Sequence, residues 1–170
     1  MRLAALAGPL AILTVAGGCE AEPAPESAVC LGVPKLALQG RVSDAANILS
    51  AEVEQQLSER IAAYEKHTAH QMVVATTGAL NGAAPMEFAT CLARRWEIGD
   101  AERDDGILIL VAPNERQSSV TVGYGLEKAL NDVEAKAVIK DMIPSFQKSD
   151  YAGGLKIGID AIAAQTGDPR

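Results

Sequence analysis

The sequence feature that most constrains the fold is an apolar run that is followed, after a short polar connection, by an alternating segment. The run extends from Ile107 to Ala112 and is rich in branched residues, as in a strand that is buried on both faces. Residues 113–116 are Pro-Asn-Glu-Arg, and proline and asparagine are residue types that favour turns. Residues 119–122 then alternate polar and apolar side chains, as a half-buried strand does. The stretch therefore predicts a central β-hairpin.

Acidic residues stand at both open ends of this predicted hairpin. Asp104 and Asp105 precede its first strand, and Glu127 follows its second strand after a Gly-Tyr-Gly sequence. Because the two strands of a hairpin are antiparallel, the start of the first lies beside the end of the second. We therefore expect carboxylates from two chain segments at one edge of the sheet.

Helical periodicity and capping residues predict helices before and after the hairpin, together with one further buried strand over residues 71–77. The signals are Ser50 ahead of a helix over residues 51–66, Pro85 at the start of a second helix that Gly99 stops, Asn131 with Glu134 as a capping box for a third helix that ends at Pro144, and Asp150 as the cap of a fourth. The predicted fold class is α/β, a small mixed β-sheet with helices on both faces.

Length and composition set limits on the domain count and on the partners. A chain of 170 residues with 48% hydrophobic content allows one domain with a real core. The formal net charge of −7 argues against nucleic acid, because phosphate contacts need clustered Lys and Arg. One Trp and two Phe also provide no platform for stacking bases.

The first 18 residues are typical of a secretory signal peptide. A basic residue is followed by an apolar stretch and then by small residues immediately before Cys19. This ending is similar to the lipobox of bacterial lipoproteins, which predicts lipidation of Cys19; the alternative is an ordinary signal peptide that is cut nearby. Residues 19–37 read as a Pro-containing linker. The expected location is the periplasmic side of the cell envelope, with the protein anchored by its lipid or otherwise secreted.

Two further cysteines, Cys30 and Cys91, follow the predicted signal peptide. Disulfides persist in exported proteins, so these two can pair. The alternative is two separate thiols, one in the linker and one on the second helix. Neither has the basic surroundings that mark a catalytic thiol.

Five short motifs, in this order along the chain, resemble the TPM domain family. They are Val42-Ser43-Asp44, Trp96-Glu97-Ile98-Gly99, the run from Asp104 to Pro113, the run from Val122 to Glu127, and Met142 to Phe146. The resemblance covers residues 38–164, and we place the domain at residues 38–166. The family includes a plant thylakoid protein described as an acid phosphatase in photosystem II repair, and many exported bacterial proteins.

The resemblance implies a compact, Rossmann-like α/β sandwich, which agrees with the pattern of helices and strands. Some members of the family are described as phosphatases, and others as binding calcium or other divalent cations through an acidic cluster. Still others are similar to accessory proteins of membrane complexes. The family's Asp-Asn-Gly falls on residues 104–106, its Gly-Tyr-Gly-Leu-Glu on residues 123–127, and its Thr-Asp on residues 131–132.

The candidate metal ligands are five acids, and the expected cofactor is a divalent cation, calcium in the first place. The five are Asp44, Asp104, Asp105, Glu127 and Asp132. Hard cations prefer several carboxylate and carbonyl oxygens, and crowded carboxylates repel one another unless a cation or a proton intervenes. The alternative is that these acids only cap strands and helices.

Two functions stay open at this level. One is a binding module at the cell envelope that interacts with an envelope or membrane protein, with the cation serving its fold or its affinity. The other is a metal-dependent hydrolase of phosphate esters. Residues 123–125 lack the third glycine of a dinucleotide fingerprint, so a nucleotide cofactor is not expected. No side chain stands out as a nucleophile, which favours the binding module.

Overall fold

The computed structural model describes residues 30–168. The predicted signal peptide, the lipidation of Cys19 and the first part of the linker therefore lie outside the described residues. In chain order the elements are β1 (Val42–Asp44), α1 (Ala51–Thr68), β2 (Gln71–Thr76), α2 (Pro85–Arg95), β3 (Gly106–Ala112), β4 (Gln117–Val122), α3 (Asp132–Phe146) and α4 (Tyr151–Gln165), with short 3-10 turns at Cys30–Gly32 and Tyr124–Leu126.

The four strands form one mixed sheet in the order β1-β2-β3-β4. Strands β1, β2 and β3 are parallel, and β4 returns antiparallel to β3 as the second half of the predicted hairpin. Helices cover both faces, so the predicted α/β class with a small mixed sheet is confirmed. Strand β1 was not predicted, because three residues are too few to show a period of two.

Strand β3 separates two apolar layers, and every one of its residues is buried. Ile107 and Ile109 pack with residues of α1, α3 and α4 on one face. Leu108 and Leu110 pack with residues of α2 and the N-terminal segment on the other. Successive side chains of a strand point to opposite faces, so this one apolar run supplies the centre of both layers.

The helix caps follow the sequence signals closely. The Asn131 side chain accepts hydrogen bonds from the Val133 and Glu134 amides while the Glu134 side chain accepts one from the Asn131 amide, which is the predicted capping box. Three helix ends differ from the prediction. Helix α1 continues past Lys66 to Thr68. Helix α2 ends at Arg95, before Gly99, because Glu97 takes a left-handed conformation. Helix α3 continues past Pro144 to Phe146.

A disulfide between Cys30 and Cys91 fastens the N-terminal segment to α2, with their Cα atoms 5.4 Å apart. Arg95 adds hydrogen bonds from its guanidinium to the carbonyl oxygens of Cys30 and Val33. The Trp96 indole donates to the Leu36 carbonyl at 3.0 Å. We call residues 30–36 the N-terminal strap. Among the described residues no helix is long and apolar enough to cross a membrane.

The disulfide closes a long loop, so its removal should be costly. Because the sequence separation is 61 residues, we expect the double variant Cys30→Ser/Cys91→Ser to lose about 4 kcal/mol of unfolding free energy. Urea denaturation followed by circular dichroism measures the loss. Adding a reductant to the wild type should reproduce it and should leave the double variant unchanged. Equal midpoints for the two proteins under oxidising conditions would contradict the expectation.

Candidate functional site

Because glycine has no side chain, the backbone of two chain segments can contact the backbone at the start of β3. A β-carbon on Gly106 would lie 2.1 Å from the carbonyl oxygen of Ile98, and one on Gly99 would lie 2.4 Å from the Gly106 nitrogen. No side chain fits at such distances. The Trp-Glu-Ile-Gly motif and the glycine that opens β3 are therefore one packing unit.

The segment after β4 lies equally close to the loop before β3. A β-carbon on Gly123 would meet the Asp104 carbonyl oxygen at 2.1 Å, and one on Gly125 would meet the Arg103 carbonyl oxygen at 1.8 Å. The Gly125 amide donates to the Asp104 carbonyl at 2.9 Å, and the Tyr124 amide donates to the Asp104 carboxylate at 3.2 Å. Asp104 itself has a left-handed backbone with φ of 46°. These contacts fix the position of the Asp104 side chain.

A cleft of about 780 Å³ opens beside this junction. Its walls come from α2, β4, the start of α3 and the loops that flank β3. We call it the acidic cleft, because five of its lining residues are acids: Glu97, Asp100, Asp104, Glu127 and Asp132. Among the described residues that line it, Arg94 is the one Lys or Arg. Its negative charge favours cationic ligands.

Three of the five predicted metal ligands line this cleft together. Asp104 precedes β3, Glu127 follows the turn after β4, and Asp132 begins α3, and all three are exposed. Acids from both open ends of the hairpin do meet here, as the antiparallel pairing predicts. Asp132 also lies in the first turn of α3, where the helix dipole favours a negative charge.

Asp105 is turned into the protein and does not line the cleft. Its side chain is only 3% exposed, and its carboxylate accepts hydrogen bonds from the Asp100 amide at 2.9 Å, the Arg103 side chain at 2.8 Å and His70 at 3.1 Å. Burial raises the pKa of Asp105, but these three hydrogen bonds outweigh burial and lower it to about 2. Asp105 therefore remains ionised and joins its own loop to the segment between α1 and β2 that carries His70.

Asp44 lies at the opposite edge of the sheet, and the structure does not bring it to the other acids. It ends β1, and β1 is parallel to β3, so Asp44 is level with the end of β3 and Asp104 with its beginning. Its carboxylate accepts hydrogen bonds from the Leu49 amide at 2.8 Å and from the Thr76 hydroxyl. Asp44 holds the loop between β1 and α1.

The chemistry of the cleft suits a hard cation, but its side chains are not gathered around a point. Within residues 30–168, no three His, Cys, Asp or Glu side chains are grouped closely enough to hold a metal ion as they stand. Carboxylate oxygens are nevertheless the donors that calcium prefers. Asp104 is held by the Tyr124 amide, so a shared ion would require the exposed Glu127 and Asp132 side chains to move toward it.

Four residues of this region were not among the predicted site residues. Glu97 and Asp100 line the cleft, and His70 and Arg103 hold Asp105. Asp100 could have been found from the sequence, because aspartate often begins a turn. In the structure its side chain accepts hydrogen bonds from the amides of residues 102 and 103. Asp100 and Arg103 are close to Asp105 in sequence, whereas His70 lies 35 positions away, and no local pattern reveals that contact.

Comparison with known proteins places the chain among TPM domains. The sequence model of the TPM domain matches residues 42–165. The solved N-terminal domain of a P. gingivalis protein is similar at 30% identity and a TM-score of 0.67, with 73% of this chain and 80% of that chain covered. A search of the curated proteins found no match.

Two further solved structures show the same fold at lower identity. The N-terminal domain of a Corynebacterium glutamicum protein has a TM-score of 0.61 at 15% identity, over 81% of this chain and 89% of that one. A protein of the psychrophilic bacterium Bizionia argentinensis has a TM-score of 0.62 at 19% identity, over 69% of this chain and 81% of that one. At these identities the likeness concerns the fold alone.

The glycine contacts can be tested by adding a single methyl group. We expect Gly106→Ala to lower the free energy of unfolding by about 3 kcal/mol, because its β-carbon would overlap a backbone oxygen that cannot move away as a side chain could. Gly78→Ala is the matched control. Its β-carbon would meet nothing within 4 Å, so a change within about 0.5 kcal/mol is expected. Equal stability of the two variants in thermal and urea unfolding would refute the packing argument.

The buried carboxylate should also govern stability in acid. The pKa of Asp105 lies at about 2 in the folded protein, below the ordinary value of 3.8. Its contribution is therefore present above pH ~4 and is lost as the pH falls toward ~2, by about 2 kcal/mol in all. Unfolding free energies measured from pH 7 to pH 2 should show this component in the wild type and not in Asp105→Asn. The exposed Asp141→Asn should keep the wild-type profile, and parallel profiles for all three proteins would contradict the assignment.

Proposed function

The chain belongs to the TPM domain family, and from that membership we propose that it is an exported binding module whose acidic cleft takes up a divalent cation, calcium in the first place. The module acts as an accessory to, or a binding partner of, another protein of the cell envelope. The observation that carries this proposal is the meeting of Asp104, Glu127 and Asp132 in one cleft.

The set of carboxylate ligands favours calcium over a smaller ion, such as magnesium, that requires a strict coordination geometry. Calcium accepts six to eight oxygens in flexible geometry, whereas magnesium requires a near-ideal octahedron. The three carboxylates come from three separate segments, and of these Asp104 is held by the Tyr124 amide while Glu127 and Asp132 are exposed. Such a set suits a large ion of flexible geometry better than a small ion. A bound cation would also relieve the repulsion among the acids that line the cleft.

Export is supported by an observation that is independent of the N-terminal sequence. Disulfides persist in oxidising compartments and are rare in the cytosol, and the structure joins Cys30 to Cys91. The small residues that precede Cys19 predict that this cysteine carries the lipid anchor. We accordingly propose the periplasmic side of the envelope as the location, with the lipid holding the domain at the membrane.

Hydrolysis of phosphate esters is the alternative function, and one feature of the cleft favours it. Arg94 lines the cleft and supplies a positive group of the kind that phosphate requires. Five carboxylates line the same cleft, however, and they repel a phosphate dianion unless a cation is bound. The charge of the cleft therefore favours the binding of a cation over the binding of a phosphate ester.

Calorimetric titration with calcium chloride tests the proposal. The wild type should show saturable binding, and Asp104→Asn, Glu127→Gln and Asp132→Asn should each weaken it about tenfold, which is roughly 1.4 kcal/mol of binding free energy. The exposed acid Asp141 lies outside the cleft, so Asp141→Asn serves as the matched control and should bind like the wild type. No heat of binding, or equal weakening by the control, would refute cation binding in the cleft.

The same proteins distinguish the binding module from the hydrolase. Hydrolysis of p-nitrophenyl phosphate is measured with and without calcium. The proposal predicts no turnover above the uncatalysed rate. Turnover that requires calcium and is lost in Asp104→Asn would instead establish the alternative.

A further inference from the structure

The open edge of the sheet carries backbone groups that are not paired with any other strand of the described part of the chain. Within residues 30–168, strand β4 is the last in the sheet order and pairs only with β3. Gly123 donates to Gly106, and the register continues from there with Thr121 opposite Leu108 and Ser119 opposite Leu110. Hydrogen-bonded pairs alternate along an antiparallel ladder. The N–H and C=O groups of residues 118, 120 and 122 therefore face away from β3.

The middle of this edge is buried as well as unpaired. Val120 is 2% exposed, yet its edge-facing backbone groups form no hydrogen bond with any residue in the described part of the chain. A buried N–H or C=O without a partner costs about 1–3 kcal/mol, so nearly all such groups in folded proteins are paired. The edge at Val120 is therefore stabilised by any strand that hydrogen-bonds to these backbone groups and extends the sheet.

Two clefts lie along this edge, one at each end, between α2 and α3, and we call the two together the groove. The acidic cleft lies at its Val122 end. A second cleft of about 780 Å³ lies at its Gln117 end, and we call it the apolar cleft, because Pro85, Ile139, Ile143 and Phe146 line it. Both clefts are lined by residues of β4, α2 and α3. The groove thus has an apolar end and a negatively charged end.

Natural edge strands are usually protected against such pairing by lysine, proline, a bulge or a covering element. Residues 117–122 contain no lysine and no proline, and the register with β3 is unbroken. The side chain of Met86 in α2 partly covers β4, because its Sδ atom accepts hydrogen bonds from the Ser119 and Thr121 hydroxyls. It is 46% exposed and flexible, so it can move aside.

We propose that this groove binds an extended, basic peptide segment of a partner protein, which adds to β4 as a fifth strand. Its backbone would hydrogen-bond to residues 118, 120 and 122, as in other cases of strand addition. Apolar side chains on its α3-facing side would contact Ile139 and Ile143, and a lysine or arginine would lie among the carboxylates of the acidic cleft. This inference rests on the proposed partner-binding role and names the partner's chemistry.

A second copy of the chain does not fit the groove as well. Helices α2 and α3 both contact β4, and the edge at Val120 is recessed between them. Two recessed edges cannot approach to the 4.7–4.9 Å that separates paired strands, because their flanking helices would collide. A peptide without flanking helices can reach the edge.

The test begins with a phage-displayed library of random peptides, selected on the wild-type chain. Peptides that bind should alternate apolar residues and carry Lys or Arg at one end. In amide hydrogen-exchange spectra they should protect the N–H groups of Ser118, Val120 and Val122 at least tenfold. A selected peptide that is N-methylated at the residues facing β4 should lose binding at least tenfold, and one that is N-methylated at the intervening residues should not.

A pair of substitutions at one position supplies the matched control. Ser118→Pro removes an N–H that faces away from β3, and edge strands tolerate proline at such positions, so the fold is expected to persist. It should weaken peptide binding at least tenfold, and Ser118→Ala should leave binding unchanged. If Ser118→Pro does not fold, the N-methylated peptides carry the same test.

Three outcomes would overturn the inference. They are selected peptides that protect amides elsewhere, N-methylation that has no positional effect, and concentration-dependent self-association of the wild type that Ser118→Pro abolishes. The last outcome would assign the edge to a second copy. Saturable calcium binding would survive any of them, so failure of the peptide test leaves the cation site standing. Loss of calcium binding alone would leave the strand-addition site standing.

Discussion

Backbone contact at the start of β3 is the constraint on which the rest of the structure depends. The Gly106 α-carbon lies so close to the Ile98 carbonyl, and Gly125 so close to the Arg103 carbonyl, that only hydrogen fits at either position. The loop between α2 and β3 and the segment that follows β4 are therefore joined at one point. Because β3 is the strand that both apolar layers share, the loops are fixed to the most buried element of the fold.

This junction explains why two adjacent aspartates have opposite roles. Asp105 points inward, where hydrogen bonds from Asp100, Arg103 and His70 offset its burial and keep its pKa low. Asp104 points outward into a cleft that already holds negative charge. The buried carboxylate holds the loop, and the rigid loop then presents the exposed one. Binding sites gain precision when loops are positioned in this way by a rigid scaffold.

Much of this arrangement follows from local sequence patterns, and the exceptions have a common cause. The run from Ile107 to Ala112 and the alternation after it predict the hairpin, and the Asn131 capping box predicts the start of α3 within one residue. Strand β1 has three residues and shows no period, so its parallel pairing with β2 was not foreseen. Asp44 was for that reason grouped with acids that lie at the other edge. Likewise, no local pattern reveals that Asp105 faces His70 across 35 positions of sequence.

Cation and partner strand would share the acidic end of the groove, and this couples the two ligands. Asp104, Glu127 and Asp132 can be neutralised by a divalent ion or by the basic end of a peptide, but not fully by both. Thermodynamic linkage then requires that each ligand weaken the other by the same factor. The apolar end of the groove and the hydrogen bonds along β4 are not affected by this competition. Calcium would therefore change the affinity of a partner strand while leaving its register on β4 unchanged.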